Sequence, residues 1–243
     1  MKVRGFTLME MVVTLVIGSF IMLGIAGYVQ LGMKGYKDTI ERQRIQTQAQ
    51  FVLEKMAREI RHAVPNSFHQ PAGTTGCLEF VPIEYSGFYI LTGNDIEFLI
   101  GNNSVPAPLP AQRWMVINPT RYEDLFPAAG ETSAQRFDVG NLAKTGDSYL
   151  VSGGATAIGG TSKSVSNRHY IYAEGSAVRY CFAGSQVTRN GITVAEDIDS
   201  TKSAMHYLEP TLQRGGLVYL KLEFLQNGER SVYQQDVQVL NVP

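Results

Sequence analysis

Arg4-Gly5-Phe6-Thr7-Leu8-Met9-Glu10 opens the stretch that decides how this chain is built. Positions 11–33 follow it without one charged side chain, carrying Val, Ile, Leu, Met, Phe and Gly with Thr14, Ser19, Tyr28 and Gln30. As a helix this run measures about 34 Å at ~1.5 Å per residue, enough to span a hydrocarbon core of about 30 Å. Glu10 sits at its start. A carboxylate in a membrane costs roughly 2.5–3.5 kcal/mol on insertion scales, so an acid there asks for a partner.

Outward from the run, Lys2 and Arg4 form a short basic leader. One reading is a secretory signal peptide cleaved after Gly24-Ile25-Ala26. Against it, the apolar run continues to Leu31 and Glu10 interrupts its start. Charge does not settle the topology. Lys2 and Arg4 favour a cytoplasmic N terminus, but Lys34, Lys37, Arg42 and Arg44 lie just past the other end.

No proline occurs before Pro65, and positions 36–64 are rich in good helix formers. Ile45, Ala49, Val52, Met56, Ile60 and Ala63 recur at steps of three and four, which predicts an amphipathic helix with one apolar face. Joined to the apolar run, it predicts one helix over 6–64, ended by Pro65-Asn66-Ser67. Gly18, Gly24, Gly27, Gly32 and Gly35 punctuate its first half. Two readings stand for them: local bending or melting over 24–35, and close packing of helices at small residues.

Positions 66–243 suit one further domain and read mainly as strands. Expected strands are 78–83, 88–91, 96–100, 113–117, 169–173, 178–182, 217–225 and 231–239. Asn227-Gly228 supplies a tight hairpin turn between the last two, and another hairpin is expected around Glu174-Gly175-Ser176. Val218, Leu220, Leu222 and Phe224 alternate onto one face. Segments 102–110 and 153–166 read as polar loops outside the core. A helix followed by antiparallel strands predicts an α+β fold, the helix covering one face of the sheet.

Chemistry-bearing clusters are few. His62, His69, His169 and His206 fall in no metal-ligand spacing, and neither a nucleophile elbow nor a P-loop occurs. Gly146-Asp147-Ser148 lacks a convincing histidine partner. Glu196, Asp197 and Asp199 are weak candidates for calcium, with an ordinary acidic loop as the simpler reading. Tyr85, Phe88, Tyr89, Trp114 and Tyr122 read as core or rim residues. A net charge of −1 gives no basic face for nucleic acid. Cys77 and Cys181 suit one disulfide in an oxidising compartment, or two buried thiols.

Gly5-Phe6-Thr7-Leu8-Met9-Glu10 with the apolar run resembles the N terminus of type IV prepilins and type II secretion pseudopilins. The resemblance covers about the first 30 residues and extends to the rest only in general layout. It implies cleavage after Gly5 by a prepilin peptidase, N-methylation of Phe6, and a mature chain in which Glu10 is the fifth residue. The new α-amine, with an ordinary pKa near 8, is largely cationic. Glu10 of one subunit then meets the Phe6 ammonium of its neighbour, and pairing offsets the desolvation of both. The alternative places Glu10 at the headgroups or the helix N terminus, where negative charge is favourable.

The resemblance further implies a layout of leader 1–5, membrane or filament-core helix 6–33, amphipathic helix 34–65 and a periplasmic β-rich domain 66–243. The expected location is the bacterial inner membrane, single-pass, and then a pilus or pseudopilus. Expected partners are other major and minor pilins, the inner-membrane assembly platform and the lipid bilayer, with no cofactor and no enzymatic activity. Together with 50–61, the opening motif resembles minor pilins of the mannose-sensitive haemagglutinin pilus (O-type), W-type minor pilins and J-type pseudopilins. A membrane-anchored periplasmic enzyme or binding protein is the rival class.

Overall fold

The computed structural model describes residues 5, 7–71, 76–102, 104–158, 163–211 and 214–239. The chain divides into two units, Met1–Gln48 and Ala49–Pro243. Helix α1, Leu8–Arg61, contributes to both. It starts where Thr7 caps it and stays helical through the glycines over 24–35, so the helix does not melt there. It stops three residues before the expected Val64. Beyond Arg61 the backbone finds sheet-like partners instead: Val64 N–H donates to the Val81 carbonyl at 2.8 Å, and Ile83 N–H to the His62 carbonyl at 3.0 Å. Pro65 then bars any return to helix.

In the first unit, residues 8–40 are exposed throughout apart from half-buried Gly18. Over Leu8–Arg61 the helix is long and apolar enough to cross a membrane.

The second unit carries thirteen described strands in three antiparallel sheets, not the one sheet expected. The strands are β1 Cys77–Phe80, β2 Tyr85–Thr92, β3 Asp95–Ile100, β4 Arg113–Ile117, β5 Arg136–Asp138, β6 Tyr149–Val151, β7 Arg168–Ala173, β8 Val178–Ala183, β9 Gln186–Arg189, β10 Ile192–Ala195, β11 Ala204–Leu208, β12 Leu217–Gln226 and β13 Glu229–Gln238. The sheet orders are β5-β4-β7-β2-β3-β6, β1-β8-β9-β10 and β11-β12-β13. The last hairpin matches its expectation. Asn227 and Gly228 both take positive φ, 50° and 80°, as a two-residue primed turn requires. Val218, Leu220, Leu222 and Phe224 are all fully buried.

The six-stranded sheet is two-faced. Tyr89, Ile96, Phe98, Met115, Ile117 and Ile171 point into one core. From the opposite face, Val116, Tyr170 and Tyr172 of β4 and β7 join Val64, Val81 and Leu125 in a second. Segments expected as polar loops contribute to the interior as well. Leu109 is buried, and 153–166 contains a short helix α2, Ala155–Ile158, whose Ile158 fills the first core. Single apolar residues in Gly- and Pro-rich surroundings give no periodicity to read.

The turn at Glu174-Gly175-Ser176 forms, with Gly175 at φ 69°, but it closes no hairpin. β7 pairs with β2 and β4, whereas β8 pairs with β1 and β9, so this turn carries the chain from one sheet to another.

Within this unit Ala49, Val52, Met56 and Ile60 of α1 are fully buried. Glu59 ties the same helix segment to β8 and β9. Its carboxylate accepts from the Tyr180 hydroxyl at 2.9 Å and from Arg189 Nε at 3.0 Å, with Lys55 Nζ at 3.3 Å. Tyr180 and Arg189 are direct cross-strand neighbours, so both reach the helix from one face. Burial alone would raise the Glu59 carboxyl, but these donors outweigh it and hold it below its ordinary value. The Tyr180 hydroxyl is pushed up, by burial first and then by the neighbouring Glu59.

Candidate functional site

The first helical turn is built by Thr7 and Glu10. The Thr7 hydroxyl accepts from the Glu10 N–H at 3.3 Å, and its carbonyl accepts from the Met11 N–H at 3.2 Å. Thr-x-x-Glu is the capping-box spacing, and it fixes where α1 begins. Glu10 is therefore an N-terminal acid of a helix, favourably placed against the helix dipole. Its side chain is exposed, on a surface otherwise made of exposed Leu8, Met9, Met11 and Val12. Gly5 is exposed. Phe6 lies outside the described residues, as does 1–4 of the leader.

The other candidate residues are dispersed. Cys77 and Cys181 face each other across β1 and β8 with Cα atoms 4.1 Å apart, and the structure joins them by a disulfide. Glu196, Asp197 and Asp199 do not converge on an ion site, and no group of three His, Cys, Asp or Glu does so among the described residues. Asp199 is instead a local cap: its carboxylate accepts from the N–H and hydroxyl of Thr201 at 3.0 and 2.6 Å, which holds its pKa down. Asp197 takes a left-handed backbone, φ 61°, at the turn before it.

The histidines lie apart in the fold. His62 Nδ1 bonds the Arg58 carbonyl, His69 stacks on Tyr122, His206 is exposed on β11, and His169 is buried on β7. Ser148 donates to Glu97 at 2.6 Å. That contact, not a catalytic histidine, accounts for its hydroxyl.

Sequence reading missed a cleft of about 370 Å³ between the 66–70 segment, the 120–123 turn and the end of β11. Its lining includes His69 stacked on Tyr122 and Tyr207 stacked on Phe68, with Arg121 and Glu209. These residues are scattered over 140 positions, and no spacing brings them together on paper.

Compared with known families, residues 1–26 match the prokaryotic N-terminal methylation motif. The chain matches no curated protein and no solved structure. The motif spans the short basic leader, Gly5, Phe6, Glu10 and the beginning of the apolar helix. It supports a type IV pilin-like chain, with processing by prepilin peptidase and association with other pilins. The long apolar helix and antiparallel sheets give the α+β architecture of that class.

Proposed function

We propose that the chain is a minor pilin or pseudopilin, a structural subunit that primes or caps assembly of a type IV filament. One observation carries this reading: Glu10 sits exposed on an apolar helix end, five positions after the glycine of a methylation motif. Prepilin peptidase cleaves after Gly5, and the Phe6 amine is methylated and keeps its charge. Before assembly the helix lies in the inner membrane with the second unit on the periplasmic side. On assembly it moves from lipid into the filament core, where Glu10 pairs with the Phe6 ammonium of a neighbour. Within this class, the wording of 4–11 and 50–61 favours a minor component of a mannose-sensitive haemagglutinin-type pilus over a J-type pseudopilin. That finer choice rests on sequence resemblance alone.

Two measurements test the reading. N-terminal mass analysis of the membrane-extracted protein gives N-methyl-Phe6. A chain starting at Met1 overturns it in favour of an uncleaved anchor, and one starting at Gly27 in favour of a signal peptide. Glu10→Ala inserts and is cleaved normally but enters filaments at least tenfold less. Incorporation at the normal level removes the pairing role.

A further inference from the structure

Half of one face of the six-stranded sheet is bare. Over β4 and β7 that face is covered by the second core, through Val116, Tyr170 and Tyr172. Over β2, β3 and β6 the same face carries Phe88, Ile90, Leu99 and Leu150, exposed by 57%, 57%, 50% and 41%. They form one patch. Phe88 stands directly opposite Leu99, and Ile90 and Leu150 flank Glu97 on either side. Gly87-Phe88-Tyr89-Ile90-Leu91 is therefore apolar on both faces, and Ile96-Glu97-Phe98-Leu99-Ile100 is interrupted on this face only by Glu97. Such near-continuous runs characterise strands covered on both sides, whereas a half-solvated antiparallel sheet alternates apolar with polar. Phe88, expected to be core or rim, is neither within a single copy.

We propose that this face docks on the same face of a second copy of the chain. Two observations select that occupant. The first is charge. Arg168 on β7 lies beside Phe88, its guanidinium 6.0 Å from the ring centre, and Glu97 on β3 lies beside Ile90. The two opposite charges flank β2 from its two sides. A two-fold axis in the plane of the contact, over β2, sets Arg168 of each copy against Glu97 of the other. The face thus carries its own complement, as an isologous contact requires.

The second is area. Four half-exposed apolar side chains present on the order of 300–400 Å², the size of a functional patch on a monomer. A stable interface buries about 800 Å² per partner, so this patch is the apolar centre of a contact too weak to gather copies from dilute solution. Copies anchored by α1 in one membrane meet at a far higher effective concentration. The contact depends on the anchored-subunit reading only for that tether.

Cysteine cross-linking of the full chain in lipid vesicles tests this, since Cys77 and Cys181 are already paired. Ile90→Cys gives at least fivefold more disulfide-linked dimer than Ile192→Cys, a control exposed by 72% on β10 of another sheet. Arg168→Glu in the Ile90→Cys background lowers the yield several-fold, and adding Glu97→Arg restores it. Three outcomes overturn the proposal: equal yields from the two cysteine positions, links only to a different polypeptide, or no restoration by the double exchange. The N-terminal mass of the same preparation reports separately on the filament reading.

Discussion

The two halves of α1 are made of one continuous helix and obey opposite rules. From Leu8 to Met33 nearly every side chain is apolar and exposed. In the second unit, Ala49, Val52, Met56 and Ile60 form a narrow apolar stripe that is fully buried, while Glu54 and Arg58 pair on the solvent side at 2.9 Å. A helix apolar all round has no solvent-facing side, so its proper surroundings are lipid or other helices. An amphipathic helix finds its apolar environment within its own chain. Helicity alone does not distinguish the halves; what satisfies their surfaces does.

A matched pair of methionines probes this contrast with the largest effect. Met56 is fully buried and Met22 is exposed by 74%. Met56→Ala removes a packed thioether and leaves a cavity, which costs about 2–5 kcal/mol. Met22→Ala changes the stability of the second unit by less than about 0.5 kcal/mol. Chemical denaturation in detergent, followed by the fluorescence of Trp114, measures both. An equal loss from the two substitutions would break the distinction between the halves.

Both halves were legible because each has a periodic or unbroken pattern tens of residues long. The β12–β13 hairpin was equally legible: alternation and an Asn-Gly turn agree there. The same dipeptide at Asn190-Gly191, with φ 49° and 82°, joins β9 to β10, but those strands hold only four residues each, too short for alternation to stand out. β5 and β6 have three residues each, too few for any period to show. Partition into three sheets was illegible for another reason. Which strands pair is set by contacts as distant as Cys77 with Cys181, not by the turn at Gly175. At the N terminus the site was readable because its residues are contiguous, whereas the His69–Tyr122–Tyr207 cleft is assembled from three distant segments.

The next effect concerns the unit that buries its apolar surface, and the cost of a polar group caught there. His169 is fully buried, edge-on to Phe98 with ring centres 5.1 Å apart, and neither ring nitrogen has a hydrogen-bond partner among the described residues. Burial pushes its pKa down from 6.5 to about 3. Between those values the unfolded chain binds a proton that the folded chain refuses, so stability rises with pH and falls as pH drops below 6.5. From this group the second unit is about 2 kcal/mol less stable at pH 5 than above pH 7. His169→Leu removes that slope and leaves stability at pH 7 equal or higher, because an unpartnered imidazole no longer needs desolvating. Denaturation midpoints at pH 5 and 7 decide it; an unchanged slope would mean that the buried ring carries no penalty.

The smallest effect asks whether the buried half of α1 is held by its apolar stripe alone. Glu59 accepts from Tyr180 and Arg189, and its carboxyl is held below 4.5. The sign is the reverse of a raised group: this contribution is present above 4.5 and disappears as pH falls through the lower folded value. The side chain keeps some solvent contact, which screens the pair, so Glu59→Gln costs only about 1 kcal/mol at pH 7. In a His169→Leu background the imidazole slope is absent, and the carboxylate can be followed by itself. The stability gap between chains with and without the Glu59→Gln substitution should narrow as pH falls below 4.5, where the glutamate is progressively neutralised. A gap that does not narrow in acid would assign the loss to shape rather than charge. No gap at pH 7 would leave the buried apolar side chains Ala49, Val52, Leu53, Met56, Ala57 and Ile60 to hold the segment, and the two halves of α1 would then differ only in whose apolar surface covers them.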